Sequence, residues 1–123
     1  MWNKIDDSVL YQKSEDFAVR IINLYKHLTQ DKKEYVISKQ LLRSGTSIGA
    51  NIAEAEVSRS KKDFFNKIYI AFKEAAESRY WLKLLVRTNY LTTKEFNSLI
   101  DDLTEIFQIM NRILITMKRK YDI

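Results

Sequence analysis

The residue types that most often carry catalysis or metal binding are scarce in this sequence. Its 123 residues include no cysteine and one histidine, His27. Thiolate chemistry is therefore excluded, and a single imidazole cannot supply the histidine pair of a zinc site or the Glu-x-x-His pairs of a di-metal bundle. We interpret His27 as a surface or packing residue at the end of a helix. The sequence thus predicts a non-enzymatic protein that uses no metal and no cofactor.

One short segment, Gly45-Thr46-Ser47-Ile48-Gly49, has the composition of a phosphate-binding loop. Such a loop needs the spacing GxxxxGK[ST] between a strand and a helix, so that its amides and its lysine converge on the phosphates. The spacing, the lysine and the strand are all missing here. We therefore exclude a nucleotide-binding loop.

Basic residues are more informative, because they are concentrated in the middle of the chain. The formal net charge is +5; residues 31–62 hold seven basic and four acidic side chains, and residues 63–90 hold five and three. Two clusters are candidate phosphate contacts: Arg59, Lys61 and Lys62, and, at every fourth position, Arg79, Lys83 and Arg87. No RNP motif or CxxC finger accompanies them, so RNA or DNA would be held by its backbone rather than read by its bases. The competing interpretation is a solvated polar face.

The elements that position these residues are predicted to be helices. Two glycines and no prolines leave few of the turns that sheets require. Apolar residues recur in steps of three and four along residues 10–28, 37–55, 64–85 and 96–117, which is typical of helices with one buried face. We predict one all-α domain over residues 1–123, an antiparallel up-down-up-down four-helix bundle.

The helix starts can be assigned from capping residues. Ser58 or Ser60 is a candidate N-cap for the third helix. Thr92 or Thr93 is expected to begin the fourth, with Glu95 close to the positive end of its dipole. In each predicted helix, the apolar residues that recur in steps of three and four form a line that we call its apolar seam. The second helix has the least regular seam, because Gly45 and Gly49 both fall inside or beside it.

The third and fourth helices carry more apolar residues than one seam needs. These additional residues are Phe65, Phe72, Tyr80, Trp81, Ile100, Phe107, Ile109, Leu114 and Ile115. Apolar surface of this kind usually marks an interface, so we predict that the chain associates with itself. Alternatively, neighbouring helices cover these residues within one broad core.

The second helix also carries a polar stripe beside its apolar one. Ser47, Asn51 and Glu54 lie at i, i+4 and i+7, next to Ile48 and Ile52. The stripe could present hydrogen-bonding groups to a ligand, or it could satisfy partly buried polar groups at a contact between helices or between subunits and fix its register. The small residues around it, Gly45, Gly49, Ala50 and Ala53, favour the second interpretation because they allow a close approach of another helix.

Together these residues resemble a known family. The segment Ser47 to Glu54, which includes Ala53, and the segment Ser58 to Phe64 are similar to the signature of the four-helix bundle family named after the intervening sequences of bacterial 23S rRNA genes, also called S23-like. The resemblance extends to residues 9–13 and 40–44 and to Ala71 and Glu77, and so covers nearly the whole chain. The chain differs where it has Ala55-Glu56 and Lys73-Glu74.

The resemblance implies a ring-shaped homopentamer whose biochemical role is largely undefined. A similar fold serves as the accessory protein of diversity-generating retroelements, in which a basic pentamer associates with a reverse transcriptase and nucleic acid. We therefore expect a scaffold that binds RNA or DNA phosphates, or a nucleic-acid enzyme such as a reverse transcriptase. The alternative is a protein-protein interaction module without affinity for nucleic acid.

The sequence also suggests a location. Its first residues include Asp6 and Asp7 where a signal peptide would place its apolar run, and no apolar stretch approaches the ~18 residues that cross a bilayer. We expect a cytoplasmic protein with no membrane partner.

Overall fold

The computed structural model describes the backbone of residues 4–123 and the side chains from residue 9 onward. It contains four helices: α1 (Lys4–Gln30), α2 (Ile37–Ala55), α3 (Lys61–Arg87) and α4 (Thr93–Tyr121). No strand is present over the described backbone. None of these helices has an 18-residue stretch apolar enough to cross a membrane.

The helices form an antiparallel four-helix bundle. Each packs against two others, in the cycle α1–α2–α3–α4 and back to α1. The predicted apolar seams converge on one core, whose largest fully buried side chains include Phe17, Ile48, Phe64, Leu82 and Leu103. The seams at residues 10–28, 37–55, 64–85 and 96–117 thus pack together as the 3.6-residue period requires.

Two of the predicted caps are present. The Ser60 hydroxyl accepts a hydrogen bond from the amide of Asp63, at the start of α3. At the start of α4, the Thr92 hydroxyl accepts from the amide of Glu95, and the Glu95 carboxylate accepts from the amide of Thr92. This reciprocal capping box satisfies amides that a helix start otherwise leaves unpaired.

The start of α2 is capped by a side chain that the sequence did not suggest. The carboxylate of Glu34, only 8% exposed, accepts hydrogen bonds from the amides of Val36, Ile37 and Ser38 at 3.1, 3.0 and 2.6 Å. The preceding residue, Lys33, makes the turn with a φ of 58°. Burial acts to raise the pKa of Glu34, but the hydrogen bonds from these amides outweigh it and hold the pKa below the usual glutamate value.

We expect Glu34→Gln to lower the free energy of unfolding by about 1 to 2 kcal/mol at neutral pH, since a neutral amide oxygen replaces a charged acceptor of three amides. Because the folded-state pKa is depressed, this contribution is present above the ordinary glutamate pKa of about 4.3 and is lost as the pH falls through the lower folded value. Urea unfolding of both forms at several pH values measures the difference. Exposed Glu56 provides the control, since Glu56→Gln should have little effect; a Glu34 effect that persists undiminished in acid would contradict this account.

The two glycines of α2 both face α1, but at different distances. A Cβ built on Gly45 would lie 2.9 Å from Cγ2 of Ile21, closer than real contacts allow, whereas one on Gly49 would lie 3.5 Å from the Ser14 hydroxyl. Gly45 therefore sets how closely α1 and α2 approach. Ala50 and Ala53 are exposed, so they take no part in close packing within the chain, and their contact with another subunit stays a prediction.

Most of the additional apolar residues of α3 and α4 are covered by the bundle itself. Ile109 and Leu114 are buried, each 7% exposed. Phe65, Phe72, Trp81, Ile100 and Phe107 are partly buried and pack against the core. Tyr80 and Ile115 stay exposed. The broad-core interpretation thus accounts for most of this surplus, and self-association remains a prediction.

Candidate nucleic-acid interface

All six predicted phosphate-binding residues are exposed. Among the described residues, no carboxylate lies within ion-pair distance of any of them. Other bases are paired: Lys13 with Glu105 at 2.7 Å, and Arg20 with Asp102 at 2.6 Å. The ammonium and guanidinium groups of the two predicted clusters are therefore available to an external anion.

The first cluster lies at one end of the bundle, where the antiparallel topology places the start of α3 beside the end of α4. The Lys61 ammonium sits 4.1 Å from the centre of the Tyr121 ring, and the Lys120 ammonium sits 5.5 Å from the same ring. These are cation–π contacts, which hold the two charges near each other. A groove of about 710 Å³ opens here, lined by Ser60, Lys61, Lys62, Tyr121, Asp122 and Ile123.

The second cluster does not form a single row. The guanidinium of Arg79 packs over the Phe107 ring of α4, 4.8 Å from its centre, and so lies at the boundary between α3 and α4. Lys83 and Arg87 point away from the core on the solvent side of α3. Arg79 is thus fixed by packing, while Lys83 and Arg87 make no such contact with the residues that the structure describes.

The outer face of α3 connects the two clusters. We define it as the exposed positions that recur in steps of three and four: Lys62, Asn66, Tyr69, Lys73, Ala76, Tyr80, Lys83 and Arg87. It holds four bases and no acid. At 1.5 Å per residue, Lys62 and Arg87 lie about 37 Å apart, so the clusters are the two ends of one extended basic surface rather than a compact pocket.

Two of the three acidic residues of α3, Glu74 and Glu77, pair with the neighbouring helix α2. Arg43 of α2 pairs with Glu74 at 2.9 Å and also with Glu77. The indole of Trp81 donates to Glu77 at 3.0 Å. The hydrogen bond from Trp81 and the nearby Arg43 guanidinium lower the pKa of Glu77. These contacts keep the two carboxylates at the boundary with α2, and the charged side chains of the outer face of α3 are its four bases.

The residues of the family signature in α2, within the segment Ser47 to Glu54, mostly make contacts inside the bundle. Ile48 and Ile52 are buried in the core. The Ser47 hydroxyl and the Asn51 amide donate to carbonyls of their own helix, at 2.6 and 2.8 Å, and Glu54 accepts from Lys67 of α3 at 2.7 Å. Ala53 is exposed.

A different pair of polar groups bridges the helices in the core. The Ser78 hydroxyl donates to the Ser44 hydroxyl at 2.9 Å, and both residues are fully buried. Two of the three residues in the predicted stripe, Ser47 and Asn51, bond within their own helix, and the third, Glu54, contacts Lys67 of α3. Polar contacts between α2 and α3 are thus made by Glu54 at the surface and by Ser44 and Ser78 in the core.

Two basic residues were not among the predicted contacts although they belong to the same surface. Lys73 lies midway along the outer face of α3, and Lys120 joins the first cluster through Tyr121. The period of α3 places Lys73 on the face of Lys62 and Lys83. Up-down-up-down topology places the last turn of α4 beside Lys61. Both signals were present in the sequence.

Metal binding finds no support in the described part of the chain, where no group of three or more His, Asp or Glu side chains is placed to hold an ion. His27 is exposed, and its ring lies 2.7 Å from Asp31 one turn along α1. The imidazole is thus engaged locally at a helix end.

The sequence model of the 23S rRNA-intervening sequence protein family matches residues 6–112. The chain belongs to this family. A solved structure supports the assignment: a protein of unknown function from the S23 ribosomal protein family of Bacteroides thetaiotaomicron shares 55% sequence identity with this chain, and the match covers 89% of this chain and 97% of that one. The two folds superpose with a TM-score of 0.88. No curated protein matches the chain. Membership thus confirms the resemblance seen in the sequence and leaves the family's function open.

Proposed function

We propose that this protein is a non-enzymatic, homo-oligomeric scaffold that binds the phosphate backbone of nucleic acid, or a nucleic-acid enzyme together with its nucleic acid. The observation that supports this most is the outer face of α3, which presents four bases and no acid along about 37 Å. Arg59, Lys61 and Lys120 extend the same charge over one end of the bundle. A linear array of bases suits a linear polyanion better than it suits a small ligand.

Assembly would multiply this charge. A monomer with a net charge of +5 offers few contacts, but a closed ring repeats each of them in every subunit. Repeated sites on one particle raise the overall affinity through effective concentration, without any new contact. The proposed homopentamer would therefore carry five copies of the outer face of α3.

Light scattering coupled to gel filtration is expected to give the mass of an oligomer, most simply five chains, at micromolar concentration. The exposed apolar residues Val19, Ile22, Ile70 and Ile115 are candidates for the surface that becomes buried. A monodisperse monomer would contradict the assembly and remove the multiplication of charge.

The alternative function is a protein-protein interaction module without affinity for nucleic acid. It is favoured by Ala50 and Ala53, which are small and exposed on α2 and would let a helix of another protein approach closely. Filter binding of labelled RNA and DNA at ~50 mM salt separates the two functions, because the electrostatic contribution is strongest there. Binding of both polymers supports the proposal, and absence of binding by the intact oligomer favours the interaction module.

A further inference from the structure

Two tyrosines interrupt the basic row on the outer face of α3. Tyr69 and Tyr80 are 48% and 54% exposed, and they lie eleven residues apart, or about 16 Å along the helix. Lys73 stands between them and Lys83 follows Tyr80. The surface therefore alternates aromatic and basic side chains, which a purely electrostatic phosphate contact does not require.

Both rings are held by aromatic neighbours that are themselves anchored. The Tyr69 ring lies nearly parallel to the rings of Phe65 and Phe72, at interplanar angles of 14° and 17°, and their ring centres are 6.4 Å away on either side. Phe72 in turn packs edge-on against Phe107 of α4 at 4.7 Å. This ladder fixes Tyr69 to the α3–α4 boundary while nearly half of the residue stays in solvent.

Tyr80 lies on the same outer face and is anchored from the side of α3 that faces α2. The centres of the Tyr80 and Trp81 rings are 5.0 Å apart in an edge-to-face contact, and the Trp81 indole is held by its hydrogen bond to Glu77. Rings restrained in this way lose little conformational entropy when a flat partner stacks on them.

We infer that the outer face of α3 binds single-stranded nucleic acid, with unpaired bases stacking on Tyr69 and Tyr80 and phosphates contacting Lys73, Lys83 and Arg87. This inference rests on the proposed function and names the form of nucleic acid that it takes. A duplex keeps its bases stacked inside, so the two rings could not reach them. A single strand exposes base faces, and stacking on aromatic platforms beside a basic track binds it with little dependence on sequence.

The test compares an oligo-dT of about 15 nucleotides, a length within the range of known stacking sites, with a duplex of equal length. Fluorescence anisotropy of the intact oligomer is expected to show tighter binding of the single strand. Tyr69→Ala and Tyr80→Ala should each weaken single-strand binding by roughly ten-fold and leave duplex binding within about two-fold. The slope of log K against log salt should stay the same in both variants, because no phosphate contact is removed.

Conservative and distant variants complete the test. Tyr69→Phe and Tyr80→Phe keep the rings and should retain single-strand affinity. Tyr35, 58% exposed in the α1–α2 connection, is the matched control, and Tyr35→Ala should have no effect. Unchanged single-strand affinity in the alanine variants, equal loss of duplex affinity, or a change in oligomer size, which would place this face between subunits, would each overturn the inference. Failure of the wild-type oligomer to bind either polymer would overturn the proposed function as well.

Discussion

Reversal of charge at Lys61, Lys62 and Lys83 to glutamate is expected to abolish binding of both RNA and DNA while helicity and oligomer size are kept. The three ammonium groups are exposed and have no carboxylate partner among the described residues, so their replacement breaks no ion pair there. Glutamates at positions 61 and 62 also suit the positive end of the α3 dipole. Filter binding, circular dichroism and light scattering measure the three properties.

A matched variant separates local charge from total charge. Lys26, Lys39 and Lys94 are exposed on α1, α2 and α4; each reversal changes the charge by two, so both triple variants move from the net charge of +5 to −1. The control should keep most of its affinity, because the contacts on α3 and at its end remain. Equal losses in the two variants would show that net charge alone attracts the polymer, and would contradict a defined interface.

The largest effect on stability is expected at Gly45. A leucine there would drive its Cβ to within 2.9 Å of Cγ2 of Ile21, and further side-chain atoms would enter the contact between α1 and α2. Overpacking of this kind costs about 1 to 3 kcal/mol, which corresponds to a Tm lower by roughly 4 to 12 °C in a domain of this size. Thermal and urea unfolding of Gly45→Leu measure it.

Neighbouring positions on α2 serve as controls for this prediction. The Cβ of Gly49→Ala would meet Ser14 at 3.5 Å, an ordinary contact, so the gain in helix propensity should raise stability by up to about 1 kcal/mol. Ala53→Leu should be nearly neutral for the folded chain, since Ala53 is exposed. A Gly45→Leu variant as stable as wild type would show that α1 and α2 separate easily, and a strong effect at Ala53 would indicate a contact with another subunit.

The helices could be predicted because their apolar period and their caps are local signals. The seam of residues 64–85 and the pair Thr92 and Glu95 each depend on neighbours in sequence, and the structure has them as expected. The cap of α2 could not be predicted in the same way. Glu34 lies three residues before the helix, and its role depends on the turn at Lys33 that brings its carboxylate back to the amides.

The candidate site was predictable in residue type and less so in arrangement. Exposure of Lys83 and Arg87 follows from the helix period, but the position of Arg79 depends on Phe107, a residue of α4 that sequence spacing does not relate to α3. The absence of acids from the outer face of α3 follows from the helix period, but the pairing of Glu74 and Glu77 with Arg43 of the adjacent helix does not. Such pairings across helices need the packed structure.

Phosphate binding by the repeated basic surfaces of an oligomer can be measured through the salt dependence of wild-type binding to two RNAs and two DNAs of unrelated sequence. A site that contacts about six phosphates should lose roughly a few hundred-fold in affinity for single strands between 50 and 200 mM salt, and more for duplexes, because each neutralised phosphate releases condensed counterion. We expect a steep, linear decrease of log K with log salt that is the same for both sequences of each polymer. A flat salt dependence, a strong preference for one sequence, or no binding by the oligomer at ~50 mM salt would contradict it.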